Sequence, residues 1–349
     1  MDEIRVVSYG LGPIGLAIAE LLVARPGVRL VGAVDVDSEK VGRDLGELTV
    51  VGTRIGVVVE RGFVDDGGWD ASAGTAGVVV HATSSRLHET AGQLAEIVEA
   101  GWNVVSTCEE LAEPWSTDAT TAAALDAAAK EHAVTVLGAG VNPGFLLDAL
   151  VLVLTGVCVE VEAVRVRRVV DTNARRVPLQ RKAGIGMTEE GFAALAAQAG
   201  VGHVGLRQSA HLVARGLGWP VDGYTESLRP VLAGADVATG LGQVGRGRVL
   251  GQHQVAELRS GSRVITLDLE MSAGAAPVDR IEIDGMPPVR QEVESGINGD
   301  VATKALIANL VPVVARAAPG LLTMAEVLPL HCAAHAADIG RGGSAGESR

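Results

Sequence analysis

Ile4-Arg5-Val6-Val7-Ser8-Tyr9-Gly10 runs straight into Leu11-Gly12-Pro13-Ile14-Gly15, followed by Leu16, Ala17, Ile18, Leu21 and Leu22. The opening run is short and rich in β-branched residues, which predicts a strand, and the closing residues recur at helical spacing. Pro13 is tolerated only at the first turn of that helix, so it marks where the helix begins. The segment therefore reads as strand, tight turn, helix. Gly10, Gly12 and Gly15 fill the GxGxxG pattern in the turn, where missing side chains allow a sharp bend and close approach of a pyrophosphate. Free N–H groups and the dipole at the helix start favour the phosphate charge. Val28 to Asp35 reads as a second strand buried on both faces. Asp35 closes it 35 − 15 = 20 positions after the last motif glycine, where the ribose-binding carboxylate of a dinucleotide site belongs. A chain with 45 glycines produces Gly-rich turns by chance. The specificity here lies in the flanking strand, helix and acid.

The same grammar continues. Gly77 to Ala82 and Asn103 to Thr107 are strand-like, His88 to Ala100 and Ala119 to His132 are helix-like, and Val134 to Leu137 is again strand-like. Strands alternating with helices over short connections imply a parallel sheet with right-handed crossovers. After Asn142-Pro143-Gly144 the texture changes. Val159 to Val170, Gly247 to Glu257 and Arg263 to Met271 are longer strands without regular intervening helices, which suggests a mixed or antiparallel sheet. Asp300 to Ala318 is helical, interrupted at Pro312. The expected class is α/β: a Rossmann doubly wound parallel sheet plus a second, α+β domain for substrate and oligomerisation. The expected boundaries are 1–145 for the dinucleotide-binding domain and 146–299 for the second. Residues 300–336 should form a helical segment packing back on the first domain, and 337–349 a tail with nothing to bury.

Composition bounds the partners. A chain of 349 residues exceeds what one compact core usually serves. A formal net charge of −13 repels phosphate backbones and anionic lipid heads, so neither nucleic acid nor a membrane surface is an expected partner, and a small molecule is. Three cysteines, Cys108, Cys158 and Cys332, lack CxxC spacing, so neither a disulfide framework nor a metal site is expected, and the reading is cytoplasmic. Met1 to Gly10 offers no basic region ahead of an apolar one, as a secretory leader would. The apolar run Phe145 to Val159 is broken by Asp148 and too short to span a bilayer.

Asp35 should accept hydrogen bonds from the ribose hydroxyls and repel a 2′-phosphate, so NAD is the preferred cofactor. Lys40 and Arg43 lie near enough in sequence to keep NADP possible. Ala82 and Thr83 follow a strand at the carboxyl edge of the sheet, where open α/β folds bind ligands, and are expected to line the cofactor. The alternative for that loop is helix capping. The next strand ends in Cys108-Glu109-Glu110-Leu111. A carboxylate in an apolar pocket there would have its pKa raised, which suits proton transfer. Otherwise both acids face solvent or cap the following helix. Cys108 reads either as a thiol nucleophile or as a small buried hydrophobe. None of Lys40, Lys130, Lys182 and Lys304 lies beside a cofactor edge in a Gly-rich catalytic motif.

Three runs add a resemblance: Cys108-Glu109-Glu110-Leu111-Ala112-Glu113-Pro114, Gly138-Ala139-Gly140-Val141-Asn142-Pro143-Gly144-Phe145-Leu146-Leu147-Asp148, and Gly202-His203-Val204-Gly205 with Ser209. Together with Gly299 to Thr303 and Pro319 to Met324, they resemble the 2,4-diaminopentanoate dehydrogenase family, which includes native amine dehydrogenases and is related in fold to dihydrodipicolinate reductase. The resemblance covers nearly the whole chain, and the NPGF run is its most specific part. It implies NAD(P)-dependent oxidative deamination of an amine, or reductive amination of a ketone or aldehyde with ammonia, without a metal. Glu109 matches the family's catalytic glutamate, with Cys108 and Asn142 expected along the cofactor. Asn142, Pro143 and Gly144 are expected where the domains meet, and Phe145 in the wall of the substrate pocket. Arg168, His203, His253 and Thr303 are further substrate contacts by the same resemblance, and a homodimer through the second domain's sheet is implied. The chain departs from the diaminopentanoate enzymes around Asp171 to Lys182, which is more basic here, and in the residues flanking His253. Arg168, Arg175 and Arg176 are therefore candidates to hold a substrate carboxylate.

Two other readings compete. A dihydrodipicolinate reductase would carry a His-His and Lys catalytic segment, which is not visible. An NAD-sensing regulator would normally carry a basic DNA-binding module, which the acidic charge disfavours.

Overall fold

In a computed structural model, which describes residues 3–50, 52–63, 69, 77–174, 177–198 and 200–327, the amino-terminal strand and helix are β1 (Ile4–Tyr9) and α1 (Pro13–Val23). Every residue of β1 is buried, as expected of a strand covered on both faces. The chain continues through β2 (Val28–Val34), the short α2 (Leu45–Leu48), β3 (Val59–Glu60), β4 (Val78–His81), α3 (Leu87–Glu99), β5 (Asn103–Ser106), α4 (Ala119–Glu131) and β6 (Thr135–Gly138). Asp118 starts α4 by accepting hydrogen bonds from the amides of Thr120 and Thr121.

Next come α5 (Ala149–Thr155), β7 (Glu160–Asp171), α6 (Val177–Lys182), α7 (Glu189–Ala196), α8 (Leu206–Gly216), β8 (Gly223–Leu232), β9 (Val237–Thr239), β10 (Gly242–Val244), β11 (Val249–Ser260), β12 (Arg263–Ser272), β13 (Val278–Met286) and β14 (Val289–Glu294). The chain then adds α9 (Gly299–Val314), with Pro312 inside it, β15 (Gly320–Leu322) and α10 (Met324–Val327). The expected tail from 337, and Arg175, Arg176 and Cys332, lie outside the described residues.

The chain divides into two compact units, Met1–Gly144 with Asp300–Arg349, and Phe145–Gly299. In the first, seven strands form one sheet in the order β15-β6-β5-β4-β1-β2-β3, and every adjacent pair is parallel. The chain moves outward from β1 to β3 and then crosses to β4 on the other side of β1. The carboxyl ends of β1 and β4 thus flank the switch point at which doubly wound sheets bind ligands. Val7, Tyr9, Val79, Val104 and Val136 from the strands pack with Leu94, Ile97 and Trp102 beneath α3. The return of the chain is anchored by β15 on β6 and by Thr135 Oγ1, which donates to the carbonyl of Ala318 at 2.9 Å.

The second unit holds a mixed sheet of six strands, β14-β13-β7-β12-β11-β8, in which only β12 and β7 run parallel. Side chains alternate across it. Val164, Val166, Ile265, Leu267, Leu269, Ile281 and Ile283 pack on Val151 of α5 and on Ala210 and Val213 of α8. The opposite face carries ion pairs: Arg165 with Asp284 at 2.6 Å, and Arg167 with Asp268 at 2.7 Å and Glu270 at 3.0 Å. Asp148, which reads in the sequence as an interruption, caps α5 instead. It accepts from the Ala149 amide at 2.6 Å and from Ser209 Oγ of α8 at 2.6 Å.

Candidate active site

The turn after β1 has the close-packed backbone its glycines require. Gly10 adopts φ +88°, and a Cβ there would lie 2.5 Å from the carbonyl oxygen of Ala82. A Cβ on Gly15 would fall 1.9 Å from the Gly10 oxygen, so this glycine lets the helix sit against the turn. Gly12 differs, because a Cβ there would meet nothing within 4 Å. Open space over a bare helix start is what an incoming pyrophosphate needs. Pro13 occupies the first turn of α1 and Gly12 its N-cap, without a side-chain cap or an acid to compete with a phosphate. Ile14 is half-buried beside it.

Asp35 lies just past β2. One carboxylate oxygen accepts from the Leu11 amide at 2.7 Å, the other from the Asp37 amide at 2.8 Å. Lys40 Nζ approaches to 3.2 Å from Asp35 and 3.3 Å from Asp37. Partial burial opposes the Lys40 charge, but these two acids outweigh it and hold its pKa above the ordinary lysine value. Asp35 thus ties the glycine turn to the second strand, with a cation beside it that the motif alone does not show.

Ala82 and Thr83 follow β4, and the Ala82 amide donates to the Tyr9 carbonyl at 2.7 Å, which places this loop against the glycine turn. At the next strand end, the Thr107 amide donates to the His81 carbonyl at 2.9 Å. The chain there tightens into a single turn, Glu109–Ala112. Its two acids separate by role. Glu110 is buried, takes the guanidinium of Arg86 at 2.8 Å, and accepts the Leu87 amide at 2.7 Å, which caps α3. Glu109 is half-buried, one residue nearer the strand end. Cys108 is wholly buried, and burial pushes its thiol up to about 11, so it behaves as a small hydrophobe and not as a nucleophile.

The end of β6 closes on the same turn: a Cβ on Gly138 would lie 2.3 Å from the Leu111 carbonyl carbon. Asn142 follows, half-buried and joined to Pro143 by a cis peptide. The Val141 amide donates to Thr303 Oγ1 of α9 at 3.4 Å, both within the first unit. Hydrogen bonds and backbone contacts therefore link the glycine turn, Asp35, Ala82, Thr83, Cys108 and Glu109 along one sheet edge. That arrangement lies at the sheet edge where doubly wound folds bind their ligands.

The second unit distributes its candidates differently. The Phe145 carbonyl accepts the Leu150 amide at 2.8 Å at the start of α5. Arg168 is engaged inside the fold, donating to both oxygens of Asp279 at 2.8 and 2.9 Å and to the Ile297 carbonyl at 2.9 Å, with a side chain only 4 % exposed. Those bonds oppose the expectation that it holds a substrate carboxylate. His203 and His253 lie on opposite faces of the sheet. The His203 backbone is gripped by buried Gln254, which accepts from its amide at 2.8 Å and donates to its carbonyl at 2.9 Å. His253, the neighbour of Gln254 on β11, turns to the ionic face and meets Asp268 at 2.8 Å. Strand alternation puts the His253 side chain on the opposite face from the Gln254 side chain that holds the His203 backbone.

Sequence reasoning missed Gln252, which accepts the Gly202 amide at 3.1 Å, together with Gln254, the His81 neighbourhood and the Glu110 cap. An Asp before the apolar run 149–154 is an N-cap signal that would have found Asp148. No local signal marks Gln93 or Gln254, which act through partners distant in sequence.

Residues 145–339, more than half of the chain, match the family model described as the 2,4-diaminopentanoate dehydrogenase C-terminal domain. A 2,4-diaminopentanoate dehydrogenase from Acetoanaerobium sticklandii is 30 % identical over 348 residues, covering 94 % of both chains. The chain belongs to the 2,4-diaminopentanoate dehydrogenase family. A solved structure of an amine dehydrogenase from Mycobacterium smegmatis matches this family member with a TM-score of 0.82 at 25 % identity, over 95 % of this chain and 97 % of that one. A probable dehydrogenase from Thermotoga maritima shares the fold at a TM-score of 0.54 and 17 % identity, over 93 % and 92 % of the two chains.

Proposed function

We propose that this member of the family is an NAD(P)-dependent amine dehydrogenase. It deaminates 2,4-diaminopentanoate or a simpler amine oxidatively and, in reverse, aminates a ketone or aldehyde with ammonia. The observation that carries the reading is the division between the two acids. Glu110 is committed to Arg86 and the start of α3, while half-buried Glu109, which matches the family's catalytic glutamate, stands at the edge where the glycine turn lies. The family relatives supply the amine.

Gly10, Gly12, Pro13, Ile14 and Gly15 hold the pyrophosphate, and Asp35 the adenosine ribose. Ala82 and Thr83 line the nicotinamide side, with the Cys108 and Asn142 backbones beside them. When bound, the nicotinamide accepts a hydride from the amine carbon. Glu109 takes a proton from the substrate ammonium, so that the nitrogen lone pair can drive the hydride off its carbon. Glu109 passes that first proton to solvent; it then takes the proton lost by the water that attacks the iminium and returns it to the departing nitrogen, so the carbonyl compound and ammonium are released. Phe145 and His203 are substrate contacts in this reading, with Thr303 supporting the Val141 amide. Arg168 and His253 are left to their ion pairs. NAD is preferred because Asp35 repels a 2′-phosphate, and Lys40 beside it lets NADP bind more weakly. Cys108 and Cys158 are free thiols, which suits a cytoplasmic enzyme. A homodimer through the second unit's sheet is the assembly the family resemblance implies.

The test is oxidation of NADH with a panel of small ketones and aldehydes at mildly alkaline pH, with and without ammonium. Absorbance loss that requires ammonium supports the reading. Loss independent of ammonium identifies a carbonyl reductase and refutes it.

A further inference from the structure

His81, the last residue of β4, is wholly buried, and both of its ring nitrogens are engaged. Nδ1 lies 2.9 Å from Ser106 Oγ; Nε2 lies 2.9 Å from Gln93 Oε1 and 3.0 Å from Thr83 Oγ1. A neutral imidazole has one donor and one acceptor, and an amide oxygen only accepts. The proton therefore sits on Nε2, facing Gln93, and Nδ1 accepts from the Ser106 hydroxyl. The remaining bonds agree with this assignment. Ser106 Oγ accepts the Cys108 amide at 3.1 Å, and Thr83 Oγ1 donates to the same Gln93 oxygen at 2.9 Å. Burial drops the basicity of His81 to about 4, so the neutral tautomer persists throughout the range in which an amine dehydrogenase works. The Tyr9 ring, 5.4 Å away, closes one side of the imidazole.

The two arms lead to different loops. One runs through Ser106 to the amide of Cys108, directly before Glu109. The other runs through Gln93 of α3 to Thr83, in the loop packed on Gly10. A histidine that merely filled the core would need its bonds satisfied, but those bonds would not have to end on these two segments.

We propose that His81 is a positioning residue, whose imidazole aligns the Ala82–Thr83 loop with the Cys108–Glu109 turn through two separable hydrogen-bond arms. The proposal rests on the reading that Glu109 is the acid and base and that Thr83 lines the cofactor. Because each arm is one or two hydrogen bonds, cutting it shifts the constant it governs by about 10-fold.

Four variants separate the arms: Ser106→Ala, Gln93→Leu, His81→Asn and His81→Gln. Asparagine places an amide oxygen near the Nδ1 position, and glutamine reaches the Nε2 position. Each is measured for NADH Kd by fluorescence, kcat for ammonium-dependent NADH oxidation at saturating NADH, and Tm. Ser106→Ala should lower kcat about 10-fold with a much smaller change in Kd, and Gln93→Leu should raise Kd about 10-fold with a much smaller change in kcat. His81→Asn should resemble Gln93→Leu, and His81→Gln should resemble Ser106→Ala. Variants that lower Tm alone, or that all move the same constant, would overturn the proposal. A wild-type protein that binds NADH yet turns over no carbonyl compound with ammonium would refute the amine dehydrogenase reading instead. Kd in Gln93→Leu would still decide the cofactor arm.

Discussion

Gly12 and Gly15 sit three positions apart in one turn, yet the structure demands them for opposite reasons. Gly15 is held by the protein, since a Cβ there would lie 1.9 Å from a backbone oxygen that cannot move without opening the turn. Gly12 faces open space. Gly12→Ala should therefore keep the wild-type Tm while weakening NADH binding at least 10-fold, whereas Gly15→Ala should lose several degrees of Tm as well; titration and thermal melts distinguish them. A Gly12→Ala protein that bound NADH normally would place the pyrophosphate elsewhere. His81 gives a second residue-scale prediction. Its folded pKa of about 4 lies below the ordinary value of 6.5, so on acidification the unfolded chain takes up the proton first. Its contribution to stability is complete above about pH 6.5 and declines as pH falls towards 4, by a total on the order of 3 kcal/mol. Denaturant unfolding at pH 7 and pH 5 should show wild type losing more stability than His81→Gln, which has no group to protonate there. Equal losses would mean that His81 is not buried neutral.

At the scale of elements, β7 is tied to β13 and to the loop before α9 by Arg168, Asp279 and the backbone of Ile297. Burial works to raise the Asp279 pKa and prevails, with Arg168 the main opposing influence. Arg168→Ala would leave that carboxyl buried without its counter-charge and should cost about 3–5 kcal/mol in denaturant unfolding. A loss below about 1 kcal/mol would contradict the clamp, since that is the range of exposed pairs. This element also shows where sequence reading stops. The strands β1, β2, β4, β5 and β6 are legible because each is short and apolar, and helices of clear period follow β1, β4 and β5. β7, β11 and β12 are legible as strands for the same reason of composition. What their residues touch is not, because it depends on register: a shift of one position exchanges the two faces. Thus Arg168 reads as a candidate to hold a substrate carboxylate when its strand neighbours are unknown, and His253 reads as a substrate contact although β11 turns it to Asp268 on the ionic face. The edge strand β8 and the pair β13 and β14 alternate polar and apolar residues too weakly to stand out alone.

At the scale of the whole molecule, a net charge of −13 suits the small cationic amine of the proposed reading, and the bare start of α1 would meet a dinucleotide's phosphates with backbone amides. Much of this site is legible in sequence, because the glycine turn, Asp35, Thr83 and Glu109 all follow strands whose carboxyl ends must share one edge. Residue chemistry alone does not choose between Glu109 and Glu110: the family resemblance points to Glu109, and the fold adds the Arg86 guanidinium and the Leu87 amide on Glu110. That choice is also the most direct test of the account. Glu109→Gln and Glu110→Gln should be compared in ammonium-dependent reductive amination, with NADH Kd measured alongside. Glu109→Gln is expected to bind NADH normally and to lose about 10²- to 10⁴-fold in kcat, while Glu110→Gln loses Tm and keeps most of its turnover. A Glu109→Gln enzyme that works at the wild-type rate would contradict the account.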